Sequence, residues 1–172
     1  VRTATTADLA ELADVAAQTF PLACPPGATP DNIAAFIADN LSAQRFGAYL
    51  DDPDRIVLTA RVDDRILGYA MLIRGVPGDD DVALSVSLRP AVELSKMYVL
   101  PDSHGAGVSA ALMTEAIERA RRLGSACVWL GVNQENARAQ RFYAKHGFTV
   151  AGTKTFRLGA GVEHDYVLVR PL

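Results

Sequence analysis

Hydrophobic spacing along the chain switches repeatedly between a helical and a strand period, and each switch marks an element. In "TTADLAELADVAAQTF", Leu9, Leu12, Val15, Ala16 and Phe20 recur at helical spacing. Thr5 or Thr6 supplies an N-cap and Asp8 an acid in the first turn, the usual opening of a helix. "RTAT" reads as a short strand before it, and "PLACPPGATP" is expected to break it. From Asp31, "DNIAAFIADNLSAQRFGAYL" returns to helical spacing and should bend or split near Ser42. "RIVLTARVD" and "ILGYAMLIRG" are strands joined by a tight turn around Asp63–Arg65, a hairpin. "VPGDDDVALSVSLRP" has no clear period, and its "GDDD" (Gly78–Asp81) reads as an exposed loop tip.

"VELSKMYVL" is a strand of mixed polarity whose alternation puts Glu93, Ser95 and Met97 on one face. The helix that follows reaches about Leu123 and is stopped by Gly124. Its inner stripe is Val108, Leu112, Met113, Ala116, Ile117 and Ala120; Glu115, Glu118, Arg119 and Arg122 lie outside. "ACVWLGV" is a short apolar run suited to a central strand, with Cys127 and Trp129 in the core. "NARAQRFYAKH" is a short helix opened by Asn136 and stopped by Gly147. "FTVAGTKTFRL" and "EHDYVLVRPL" close the chain as a hairpin around "GAG". The order β-α-α-β-β-β-α-β-α-β-β implies an α/β (α+β) fold, a mixed sheet with helices on its faces rather than a regular βαβ series.

Composition narrows the function classes. At 172 residues, 49% hydrophobic and 22% charged, residues 1–172 are expected to form one domain with a real core. Net charge is −3 and no Lys/Arg run occurs, which disfavours a nucleic-acid or anionic-membrane partner. No apolar stretch approaches the ~18–20 residues of a membrane span. The start "VRTATTADLAEL" lacks a signal-peptide pattern. Two cysteines, Cys24 and Cys127, make neither a metal set nor a disulfide framework. The expected compartment is the cytoplasm, with no metal.

The chemistry begins at "DSHGAGVSAAL", where Gly105, Ala106 and Gly107 stand just before an apolar helical stripe. A glycine turn of this kind serves awkward backbone angles, or lets an anion approach main-chain N–H groups at a helix N-terminus. It is not a Walker loop, since no Lys-Ser/Thr follows, and the spacing is not GxGxxG.

Together with the downstream segment, these residues resemble the GCN5-related N-acetyltransferase superfamily. Its diphosphate loop, Arg/Gln-x-x-Gly-x-Gly/Ala, is matched by His104-x-x-Gly107-x-Ser109, with His104 and Ser109 as departures. Its second signature, Asn-x-x-Ala-x-x-x-Tyr-x-x-x-Gly-Phe, is matched by Asn136, Ala139, Tyr143, Gly147 and Phe148. "VELSKMYV", "VWLGV" and the tail "GTKTFRLGAGVEHDYVLVRPL" look most like bacterial spermidine/spermine N-acetyltransferases. The resemblance implies a mostly antiparallel sheet splayed between its fourth and fifth strands and flanked by about four helices.

It also implies acetyl-CoA as co-substrate and an amine acceptor that attacks directly in a ternary complex. The coenzyme-binding positions carried over are Met97, Val99, His104, Gly105, Ala106, Gly107, Val108, Ser109, Asn136 and Tyr143. The Val99 backbone N–H is the candidate oxyanion donor and Tyr143 the candidate acid for the leaving thiolate. Glu93 is the candidate base through water, although related polyamine-type enzymes carry a second carboxylate where Ser95 stands. The acceptor pocket falls at "FPLACPPGATP", the middle loop and the closing hairpin. If "GDDD" folds over its mouth, it would attract polyamines. The residues alone do not separate a polyamine from a peptide N-terminus, a lysine or an aminoglycoside. A homodimer is expected by analogy. An acyl-CoA-binding sensor, or a nucleotide-binding enzyme built on the same glycine turn, are the competing readings.

Overall fold

A computed structural model describes residues 1–172. Its seven strands are β1 (Arg2–Thr3), β2 (Arg55–Val62), β3 (Arg65–Arg74), β4 (Ala91–Val99), β5 (Cys127–Asn133), β6 (Thr149–Leu158) and β7 (Gly161–Pro171). They form one sheet in the order β1-β2-β3-β4-β5-β7-β6. Only β4 and β5 run parallel. The β2–β3 hairpin closes through Asp63 and Asp64 at φ 50 and 64, the left-handed pair that a two-residue turn needs.

Six α-helices flank the sheet, where about four were expected: α1 (Leu9–Ala23), α2 (Pro30–Asn40), α3 (Ala43–Asp51), α4 (Asp80–Ser85), α5 (Val108–Arg122) and α6 (Ala137–Lys145). One addition comes from the break at Ser42, whose hydroxyl accepts from the Arg45 N–H at 3.1 Å and so starts a new helix. The other, α4, corrects the loop reading of "GDDD". Asp79 caps it, accepting from the Asp81 and Val82 N–H groups at 2.9 and 3.2 Å. A second correction concerns α1, which runs through Pro21 to Ala23. Proline removes only its own N–H and crowds the preceding turn, so residues after it can stay helical.

Two apolar layers sandwich the sheet. α5 lays Leu112, Met113, Ala116, Ile117 and Ala120 on one face, against Leu58, Ala70, Leu72, Val92, Leu130 and Leu168. On the other face, α1 and α3 bury Leu12, Val15, Ala16 and Phe46 against Val57, Tyr69 and Met71. Each large side chain buried this way contributes roughly 1.5–3 kcal/mol. α4 covers a smaller cluster that contains Cys127 and Trp129, and the indole N–H donates to the Gly75 carbonyl at 3.2 Å.

The feature that makes a site is a fault in the sheet. β4 and β5 pair at only Ala91–Cys127, Val92–Val128 and Glu93–Trp129. Beyond those rungs the two strands part, which is the expected splay between the fourth and fifth strands. A bulge precedes the parting. Leu94 pairs with Leu72 and Lys96 with Met71, so Ser95 has no partner on β3. An extra residue bends its strand and turns the side chains beyond it.

That turn overturns the expected face. Val92 and Leu94 pack with the α5 layer, and past Ser95 so do Met97 and Val99. Tyr98 packs with the opposite layer. Glu93 therefore shares its face with Lys96 and Tyr98, not with Met97.

Candidate active site

At the mouth of the splay, the glycine turn meets the N-terminus of α5. Gly105 and Gly107 hold φ 82 and 80, and a Cβ on either would meet no atom within 4 Å. The backbone therefore needs glycine at both positions, and the space before the turn is open. The N–H groups of Gly105, Gly107, Val108, Ser109 and Ala110 donate to no group of the protein, while those of His104 and Ala106 bond Pro101 and Ser103 carbonyls. Five free donors at the positive end of a helix dipole suit an anion.

The edge of β4 continues this open wall. The Leu100 N–H donates to the Leu67 carbonyl at 2.8 Å. Antiparallel alternation then turns the main-chain groups of Val99 and Met97 away from β3, into the gap. Across the gap, α6 presents Asn136, Ala139, Phe142 and Tyr143 to the same cleft. The Asn136 Oδ1 accepts from the Ala139 N–H at 3.1 Å, so it caps α6 and keeps its NH₂ free to donate. The Tyr143 ring is set edge-on between Phe142 and Phe148, with centroids at 5.5 and 5.8 Å. Burial pushes its phenol up to about 12.

The cleft holds about 620 Å³, within the range of small-molecule sites. Its far half is walled by Phe20, Leu22, Cys24 and Pro25 from the end of α1, and by Tyr98, Phe156 and Leu158. Glu93, Glu163 and Asp165 face Lys96 and Lys154 there. Desolvation raises the Glu93 carboxyl, against the pull of Lys154, Lys96 and Arg55. Desolvation also raises buried Asp165, against Lys154 at 3.9 Å. Lys96 is lowered to about 8, mainly by burial, with Glu93 opposing. Cys24 is raised to about 11 by burial and by Glu163, so its thiol stays protonated and inert at neutral pH.

His104 sits between two partners. Its Nε2 lies 2.9 Å from the Val99 carbonyl and its Nδ1 lies 3.0 Å from Nη2 of Arg138. Arg138 lines the cleft beside the glycine turn, and reading the sequence did not single it out. Its place in the first turn of a helix does not set it apart, since Arg45 stands likewise in the first turn of α3; what does is a partner 34 residues away.

Comparison with known proteins fits this geometry. The model of the acetyltransferase (GNAT) family matches residues 12–148. The chain belongs to that family. An uncharacterized N-acetyltransferase of Mycobacterium tuberculosis is 58% identical over 165 residues, 96% of this chain and 98% of the relative. Among solved structures, the PaiA N-acetyltransferase from Thermoplasma acidophilum in complex with coenzyme A has a TM-score of 0.76 at 19% identity, covering 99% of this chain and 97% of that one. The ribosomal-protein-S18-alanine N-acetyltransferase from Escherichia coli has a TM-score of 0.69 at 19% identity, covering 99% and 91%. At that identity the two structures establish the GNAT fold.

Within this GNAT fold, Met97, Val99, Asn136, Tyr143 and residues 103–110 other than Ala106 line one cleft, and Glu93 reaches it from the far half. His146 lies outside it, its Nδ1 at 2.9 Å from the Phe142 carbonyl. His164 is exposed on β7. Asp79–Asp81 cap and open α4 and do not line the GNAT cleft, which removes the loop argument for a polyamine. No group of three or more His, Cys, Asp or Glu is placed to hold a metal. No helix is long and apolar enough to cross a membrane.

Proposed function

We propose that this GNAT protein transfers an acetyl group from acetyl-CoA to a primary amine, by direct attack in a ternary complex. One observation carries the reading: five free main-chain donors, the open β4 edge and the Tyr143 hydroxyl all border a single cleft. Acetyl-CoA supplies an activated acyl thioester. The N–H groups of Gly105, Gly107, Val108, Ser109 and Ala110 hold its diphosphate, with the α5 dipole behind them. Main-chain groups of Met97 and Val99, and the free NH₂ of Asn136, hold the pantetheine arm. The Val99 N–H receives the charge that develops on the carbonyl oxygen. Tyr143 donates to the leaving sulfur; a phenol near 12 keeps its proton through the neutral range. Glu93, raised by burial, accepts the amine's proton through water.

The state of the one thiol in the cleft supports direct attack. Cys24, near 11, is a poor acyl carrier. On the acceptor side, three carboxylates face two lysines beside an aromatic wall. That balance suits an amine of single charge on an apolar body better than a polyamine, whose several charges would meet Lys96 and Lys154.

The test is a thermal-shift titration with acetyl-CoA, then thiol release with spermidine, spermine, amino acids and amino-terminal peptides. Stabilisation by acetyl-CoA and sequential kinetics with one amine class are expected, with mass spectrometry showing one added acetyl group. Binding without thiol release on any amine would leave a coenzyme sensor. Absence of binding would end the reading.

A further inference from the structure

The His104 contacts fix the state of its ring. A carbonyl only accepts and a guanidinium only donates. Nε2 therefore carries the hydrogen and donates to the Val99 carbonyl, while Nδ1 accepts from Arg138. The imidazole is neutral, so the side chain at the start of the glycine turn brings no positive charge to it.

Arg138 does bring one. It is exposed on the first turn of α6, and no carboxylate lies within 4.0 Å of it. α1, α2 and α4 carry acids in their first turns; α5 and α6, whose N-termini border the cleft, carry none, and neither does α3, which lies away from it. The one carboxylate of the turn, Asp102, is drawn off by Arg65 at 3.0 Å and by the Ser103 hydroxyl at 3.1 Å. A cation at the positive end of a helix, held by a neutral imidazole and kept from acids, is placed for an anionic ligand rather than for the helix.

Resting on the coenzyme reading above, we propose that Arg138 is the cation of the diphosphate site and that His104 is its positioning residue. His104 aims the guanidinium across the glycine turn and ties that turn to Val99. In this chain the charge comes from α6, across the cleft, and not from the turn itself. Coenzyme A offers a second anion, the 3′-phosphate, so the experiment must tell the two apart.

Calorimetric binding of CoA and of dephospho-CoA, which lacks the 3′-phosphate, separates them. Arg138→Gln should weaken both ligands alike, by about tenfold or more, and flatten the salt dependence of each. Arg138→Lys, which keeps charge without the fork, should lose less. His104→Ala should weaken both ligands, and His104→Gln, with a donor and an acceptor of its own, should recover most of that loss. Melting curves without ligand confirm that each exposed-site variant is folded. R138Q within twofold of the parent overturns the assignment, as does a loss seen with CoA but absent with dephospho-CoA. A parent chain that binds neither ligand overturns the coenzyme reading itself and this assignment with it.

Discussion

Tyr143 and Cys24 border the same cleft, and burial pushes both up, to about 12 and about 11. The same physics sorts them into opposite uses. A thiol held protonated loses its nucleophile, while a phenol held protonated keeps the hydrogen it needs to donate. Tyr143→Phe should therefore lower turnover by roughly 10–10³-fold and leave acetyl-CoA affinity nearly unchanged. In the parent, kcat/KM should climb with pH as the acceptor amine loses its proton, with no falling limb from Tyr143 below about pH 10. Turnover that survives the substitution would remove Tyr143 from the chemistry. At this scale legibility depended on whether a residue's role is local. Gly107 and Asn136 were readable because a positive φ and a helix cap are properties of neighbouring backbone. Arg138 was not, because its partner His104 lies 34 residues away in sequence.

At the scale of elements, periodicity placed all seven strands and the helices with a long apolar stripe. It missed α4, whose six residues are too few to show a period, and it stopped α1 at Pro21. The more consequential miss was the bulge at Ser95. Alternation counts residues and cannot register one left without a partner, so it set Glu93 beside Met97 when they lie on opposite faces. The turn before α5 offers the sharper test. Gly107 is the N-cap of that helix at φ 80, where any other L residue is strained by about 1–2 kcal/mol. A Cβ there would project into open space, so no protein atom resists it, but a bound diphosphate would. Gly107→Ala should lower the melting temperature by a few degrees and weaken CoA binding beyond what that destabilisation explains. Calorimetry beside a melting curve checks it; a loss of stability with unchanged CoA affinity would mean that glycine serves the turn alone.

The molecule as a whole is two half-sheets, β1–β4 and β5-β7-β6, joined by three parallel rungs and by the layer under α5, which draws residues from both. Net charge is small at −3, but the cleft divides it, with free N–H groups and Arg138 at one end and three carboxylates facing two lysines at the other. A ligand lying along that gap would bridge the halves where the sheet does not. It should then stabilise by mass action, about 2.7 kcal/mol at 100 times Kd, or roughly 5–10 °C for a chain of this length. The location of the effect is more telling than its size. Hydrogen exchange should slow most at the N–H groups of Val99, Gly105 and Gly107–Ala110, which the free protein leaves outside its own hydrogen-bond network. Amides of the β2–β3 hairpin, already paired along eight residue positions, should change only by the shared gain in global stability. A melting shift of the expected size with the turn still exchanging at its unliganded rate would put the coenzyme elsewhere on the protein, because no ligand can be held by donors that remain open to water.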